Sequence, residues 1–170
     1  MNENIEPILK WAGGKRQLLN ELLPLVPKYK GKYIEPFMGG GAMFFALSPE
    51  RAVLSDCNEE LIALYKTVSK HPDQVIEELK KYDNTENEYY RIRALNWKCL
   101  SEVEAAARMI FLNKTGFNGL YRVNRQGGFN VPYGKNRRTQ FCNEEQIFKA
   151  AKVLKKKKIL CGDYKKILKK

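Results

Sequence analysis

Between residues 33 and 56 the sequence passes from an apolar stretch through a glycine turn into an apolar helical pattern, then to a second apolar stretch that ends on a carboxylate. Residues 32–37 carry β-branched and aromatic side chains and read as a short buried strand. Residues 38–41 are a glycine turn, 42–47 open a helix, and 51–56 read as a second strand ending at Asp56. A strand, a glycine turn and a helix N-terminus bring backbone N–H groups close to a ligand. In open α/β sheets ligands sit at the carboxyl ends of the strands, and an acid at the end of the second strand accepts from ribose hydroxyls. Residues 33–56 therefore read as half of a nucleoside-cofactor site; the plainer alternative is a tight turn and nothing more. As a dinucleotide fingerprint the stretch is imperfect. Gly39 and Gly41 fit the first two positions of G-x-G-x-x-G, but Phe44 stands at the third.

The 170 residues fit one domain, or one core with an inserted subdomain, and an apolar fraction of 44% argues against wholesale disorder. A net charge of +12 brings in nucleic acid as a partner; a merely lysine-rich composition is the alternative, above all for the C-terminal lysines. Cys57, Cys99, Cys142 and Cys161 form no C-x-x-C pair and His71 is the only histidine, so no metal site is expected. Scattered cysteines suit reduced thiols in a cytoplasm. The polar, acidic start is no signal peptide, and no apolar run is long enough to cross a membrane.

Before the first strand, residues 8–11 are apolar, and Gly13-Gly14 make a turn. Lys15 then opens a helical pattern through Leu23, ended by Pro24 and Pro27. A glycine pair ahead of a helix that starts on Lys15 and Arg16 suits a carboxylate or phosphate, or is an ordinary turn with solvated charge. Beyond Asp56, helical spacing is expected over residues 59–68, 73–82, 89–95 and 144–154, with residues 84–88 as a loop. Ser101 with Glu104 is a capping box that starts another helix. Residues 159–161 read as a strand. Asp163 after it faces the cofactor's base or caps the next helix, expected from Lys165.

The stretch 113–138 mixes arginines, asparagines and aromatics and has no acid. Residues 120–124 and 129–133 read as two strands joined by a turn at 125–128. Arginine can bond guanine, asparagine can bond adenine, and aromatics can stack on or wedge between bases. The stretch reads as a nucleic-acid contact; a hairpin with solvated charge is the alternative.

Four motifs, in order, resemble the Dam-type site-specific DNA adenine-N6 methyltransferases. They are Lys10-Trp11-Ala12-Gly13-Gly14-Lys15; Glu35-Pro36-Phe37-Met38-Gly39-Gly40-Gly41; Leu54-Ser55-Asp56-Cys57-Asn58-Glu59-Glu60-Leu61-Ile62; and Phe117-Asn118-Gly119-Leu120-Tyr121-Arg122 with Phe129-Asn130-Val131-Pro132-Tyr133-Gly134. The resemblance implies an α/β, Rossmann-like methyltransferase sheet, incomplete, over residues 1–56 and 144–170. It also implies an inserted, mainly helical target-recognition domain with a β-hairpin over residues 57–143. The implied cofactor is S-adenosylmethionine. Trp11 and Lys15 would line its methionine end, Phe37, Gly39 and Gly41 the turn beneath it, Asp56 the ribose and Asp163 the adenine. Phe117, Asn118, Leu120, Arg122 and Pro132 match positions that contact DNA in the family. Lys10, Asn124, Lys135 and Arg137 complete the candidate DNA set. The partner would be double-stranded DNA at GATC sites, in the cytoplasm of a bacterium or phage-infected cell.

One departure stands out. The family's chemistry uses an Asp-Pro-Pro-Tyr motif that holds the amino group of a flipped adenine, and this sequence has no Pro-Pro pair. No catalytic residue is therefore assigned. The chain is expected to be the N-terminal part of such an enzyme, inactive alone, whose missing C-terminal half would be a partner. A non-catalytic DNA-binding module is the competing expectation. A dinucleotide-dependent oxidoreductase is the third, and Phe44 counts against it.

Overall fold

A computed structural model describes residues 5–136 and 138–168. Three short strands make one sheet: β1 (Tyr33–Glu35), β2 (Ala52–Asp56) and β3 (Lys158–Cys161). The order is β1-β2-β3 and both pairings are parallel, with Tyr33 opposite Ala52 and Val53 opposite Lys158. Parallel neighbours need crossovers. Helix α2 (Ala42–Leu47) supplies the first, after the short α1 (Leu19–Leu22) that precedes the sheet. The second crossover is long and holds α3 (Glu59–Lys70), α4 (Pro72–Leu79), α5 (Glu86–Ala94), α6 (Glu102–Thr115) and α7 (Glu144–Leu154). Helix α8 (Tyr164–Leu168) follows β3.

Local chemistry sets most helix starts. The side chains of Asn58, Thr85 and Asn143 accept from backbone N–H groups in the first turns of α3, α5 and α7. Ser101 and Glu104 close the capping box of α6. Acidic residues stand in all four first turns, where the helix dipole favours them. Helix α6 is the central post. It packs on α3, α4 and α5 and buries Arg108 and Asn113 along with its apolar residues. One apolar core runs from Leu54 and Ile159 of the sheet through Phe44 and Phe45 of α2, Tyr65 of α3 and Phe111 of α6 to Val131 and Tyr133. Residues 57–143 thus share their core with the sheet.

Several elements differ from the sequence expectation. The first strand keeps three residues, because Pro36 and the turn behind it leave the ladder. The helix expected over 15–23 is a 3-10 turn, one α turn and a second 3-10 turn that contains Pro24. Its apolar stripe is only half-buried, at Leu19, Leu22 and Leu23, and Leu18 and Leu25 remain exposed. Helix α5 begins at Glu86, inside the expected loop, because Thr85 caps it. The two strands expected over 120–133 reduce to the isolated antiparallel bridges Val123–Phe129 and Gly116–Tyr133. There the Asn124 side chain and left-handed residues Asn118 and Lys135 take the backbone out of a regular ladder. Among the described residues no helix is long and apolar enough to cross a membrane, and no cluster of His, Cys, Asp and Glu could hold a metal ion.

Candidate functional site

The carboxyl ends of the three strands meet at one edge. The backbone N–H of Met38, past β1, donates to Ser55 O at 2.8 Å, and that of Gly162, past β3, donates to Asp56 O at 3.0 Å. Asp56 closes the arrangement: Oδ2 accepts from Gly39 N–H at 2.9 Å and Oδ1 from Asn58 N–H at 3.0 Å. The acid at the end of β2 therefore locks the glycine turn to the sheet. Gly39 has φ +48°, and a Cβ there would stand 2.7 Å from Trp11 Cδ1, so only glycine lets the turn lie against the indole.

A cavity of about 230 Å³ opens beside this turn, lined by Trp11, Lys15, Glu35, Phe37, Gly39, Gly41 and Asp56 together with their chain neighbours. Sequence-predicted residues from three separate motifs thus come together. Asp163 is not in the lining. Its Oδ1 accepts from Lys165 N–H at 2.7 Å, the helix-capping alternative, while the neighbouring Tyr164 ring lies 5.0 Å from that of exposed Phe37. Glu35 belongs to one of the motifs, but the sequence assigns it no role. It is buried, its carboxylate accepts from the Tyr33 hydroxyl at 3.0 Å, and it faces the cavity. Burial pushes its pKa up, against the Tyr33 hydrogen bond, the Lys15 charge and the Phe44 backbone N–H. A buried acid and Lys15 in one lining give the cavity an acidic and a cationic group, the complement of an amino acid's ammonium and carboxylate.

The second group gathers around the end of α6. Phe117 N–H donates to Pro132 O at 2.9 Å and Gly134 N–H to Thr115 O at 2.8 Å. Lys10 packs on Gly119, where a Cβ would stand 2.5 Å from Lys10 Cδ. Lys10, Phe117, Asn118 and Pro132 are all exposed here, with Leu120 half-buried beside them. Arg122 reaches across the hairpin, donating from Nε to Asn130 Oδ1 at 2.7 Å and from Nη2 to Asn130 O at 3.0 Å. Asn124 Oδ1 accepts from the N–H groups of Gln126 and Gly128 and so builds the turn, which leaves its amide nitrogen as its contact group. Lys135 is exposed, and Arg137 lies outside the described residues. Lys114, which no sequence motif singles out, adds a cation: burial and then the charges of Lys10 and Arg16 lower its pKa, so an anion nearby would relieve it.

Side chains that sequence reasoning passes over join the two groups. Asn113 Oδ1 accepts from Lys10 N–H at 2.9 Å, and Nδ2 donates to Lys10 O at 2.8 Å and to Gly119 O at 2.9 Å. Trp11 and Tyr121 stack with centroids 5.2 Å apart. The Tyr121 hydroxyl donates to Glu60 Oε2 at 2.9 Å, and Arg108 Nη1 to Glu60 Oε1 at 2.7 Å. Arg108 and Glu60 are 2% and 4% exposed. Burial raises the Glu60 pKa and lowers that of Arg108, each opposed by the partner's charge. Only its position on the inner face of α6 could single out Arg108, and a charged residue there breaks the apolar pattern.

Known proteins resemble this chain along nearly its whole length. It is 41% identical over 181 residues to the type II methyltransferase M.MjaIII of Methanocaldococcus jannaschii, covering 94% of this chain and 63% of that protein. It is 40% identical over 174 residues to the type II methyltransferase M1.LlaDCHI of Lactococcus lactis subsp. cremoris, covering 98% and 61%. It is 37% identical over 165 residues to a DNA adenine methylase of Haemophilus influenzae, covering 94% and 57%. The chain thus spans about three fifths of the length of these relatives. A family model described as the D12 class N6 adenine-specific DNA methyltransferase matches residues 11–170, and the glycine turn, Asp56 and the Phe117–Gly119 turn all fall within that match, so the chain belongs to this family.

Proposed function

We propose that the chain binds S-adenosylmethionine in the cavity beside the glycine turn and duplex DNA on the surface around Phe117, as the cofactor and recognition part of a DNA adenine-N6 methyltransferase acting at GATC. The observation that carries this reading is the convergence of Trp11, Lys15, Glu35, Gly39 and Asp56 on one cavity at the carboxyl ends of the strands. Lys15 takes the cofactor's carboxylate and Glu35 its ammonium. Asp56 uses two N–H donors to hold the turn and has lone pairs left for ribose hydroxyls. Phe37 and Tyr164 offer aromatic surface to the adenine, and Asp163 stands at the same strand end. Residues 57–143 act as the recognition part, with Arg122 the candidate for guanine readout and Asn118, Asn124, Lys10 and Lys135 for amide and phosphate contacts.

Bound between Lys15, Glu35 and Asp56, S-adenosylmethionine would supply a sulfonium methyl to the adenine N6 lone pair, the N–C bond forming as the C–S bond breaks, with the electron pair left on sulfur and a proton lost from N6. The chain's residues bind and orient; the sequence holds no Asp-Pro-Pro-Tyr to hold N6. This chain alone is therefore proposed to transfer no methyl group. The place of work is the cytoplasm.

The test is ligand-dependent melting together with methyl transfer. S-adenosylmethionine is expected to raise the melting temperature while NAD does not. A GATC duplex is expected to bind more tightly than a scrambled one, and labelled methyl to stay off the DNA. Stabilisation by NAD alone would remove the cofactor assignment, and equal binding to both duplexes would remove GATC. Methyl transfer by the pure chain would refute its proposed inactivity. The competing reading, a binding module without cofactor, would show DNA binding with no melting shift from S-adenosylmethionine.

A further inference from the structure

The two candidate sites share a wall. One side of Trp11 faces the glycine turn and the cavity; its ring also stacks on Tyr121. Tyr121 precedes Arg122, touches Phe129 across the hairpin at 5.7 Å, and is anchored by its hydroxyl to Glu60. Glu60 is fixed from the other side by Arg108, which also donates from Nε to Ile92 O at 3.2 Å and from Nη2 to Arg93 O at 3.1 Å. Tyr121 is thus pinned at both ends, by an indole that belongs to the cavity and by a carboxylate that belongs to α3. Asn113 makes a second strut, joining the backbone beside Trp11 to Gly119. Close-packed side chains do not shift on one side of such a wall without shifting on the other.

We infer that Tyr121 is a positioning residue that ties the cofactor cavity to the recognition segment, so that filling either site strengthens binding at the other. The inference rests on the two sites proposed above. A ligand packed against Trp11 restricts the indole; the stack then restricts Tyr121, and its hydroxyl bond to Glu60 fixes where the segment carrying Phe117, Arg122 and Asn130 lies. A duplex that orders that segment does the same in reverse. Linkage requires the two effects to be equal.

The experiment uses S-adenosylhomocysteine, which transfers nothing, and a GATC duplex. Calorimetry gives the affinity of each with and without a saturating amount of the other. The expected result is one common factor, roughly 5- to 150-fold, in both directions. Tyr121→Phe keeps the ring stack and loses the bond to Glu60. It is expected to cut that factor by about threefold or more while each ligand alone binds within about twofold of wild type. In a Trp97→Phe background Trp11 is the sole tryptophan, and duplex alone is expected to shift its emission with Tyr121 present and not with Phe at that position. Wild type that binds both ligands with no coupling overturns the inference and leaves the proposed function standing. A Tyr121→Phe variant that keeps the full factor overturns the role of Tyr121. Wild type that binds neither ligand overturns the proposed function and the inference with it. If Tyr121→Phe does not fold, the wild-type factor still decides the coupling, and Tyr121→Trp, which keeps a stacking ring and lacks the hydroxyl, replaces it in the calorimetry.

Discussion

Replacing Arg108 by Met isolates the energetics of the buried pair beneath the segment that carries Tyr121 and Arg122. The guanidinium makes three hydrogen bonds, to Glu60, Ile92 O and Arg93 O, and both charged side chains are almost wholly buried. Removing one partner of a buried pair costs about 3–5 kcal/mol, because the other charge stays behind unpaired. The two α5 carbonyls also lose their donor, at about 1–3 kcal/mol for each that water cannot reach. A loss of at least about 4 kcal/mol follows, a large part of the roughly 5–15 kcal/mol that holds a domain together. The pH dependence has a definite sign. Burial already raises Glu60, and Arg108 is the largest opposing influence. Without it the folded-state pKa rises further above the unfolded value. A carboxyl raised in this way contributes stability that is complete below the unfolded pKa and is lost as pH rises through the folded one. The deficit of Arg108→Met is therefore smaller at about pH 5 than at about pH 8. Adding Glu60→Gln removes the stranded charge and should leave a deficit of about 1–3 kcal/mol from the carbonyls. Urea unfolding of both variants at the two pH values measures this. A single variant within about 1 kcal/mol of wild type, a deficit independent of pH, or a double variant less stable than the single one would refute the reasoning.

Gly39→Ala forces a Cβ towards the Trp11 ring at a left-handed φ, and is expected to cost about 1–3 kcal/mol and to weaken S-adenosylhomocysteine binding, read from melting with and without ligand. Glu35→Gln removes a carboxylate whose charged form burial disfavours; stability should rise near neutral pH, and the gain should shrink as pH falls and the wild-type acid protonates. The same variant should bind S-adenosylhomocysteine about tenfold more weakly by calorimetry if Glu35 meets the ammonium. Arg122→Ala should lose about 1–3 kcal/mol of discrimination at one base pair; equal losses on specific and random duplexes would make Arg122 a phosphate contact instead.

Much of the site is legible in the sequence, because its residues are local. The turn between β1 and α2, Asp56 ending β2 and the capping box of α6 are set by neighbours within a few positions. The joints between motifs are not legible. Asn113 meets Lys10 across 103 positions and Tyr121 meets Glu60 across 61, and no periodicity encodes such meetings. Arg108 is hidden for a related reason. It sits among alanines on a helix that reads as apolar, and only the approach of α3 and α5 gives its charge a destination. The hairpin strands are overread because alternating apolar residues promise a ladder, whereas Asn124 spends its side chain bending the backbone into a turn.

The segment that carries Trp11 and Lys15 belongs to no strand. It is fastened by side chains far along the chain, Lys10 by Asn113 and Pro7 O by Gln146 Nε2 at 2.6 Å, across 139 positions. Closing loops of that size comes late on a folding pathway. Beyond buried Ile8 and Leu9 the segment is held by few such fastenings, and such an edge opens early in a native protein. The cavity wall at Trp11 and the support beneath the Phe117–Gly119 turn are therefore expected to form and open together. Their amides should share one exchange lifetime, shorter than that of α6.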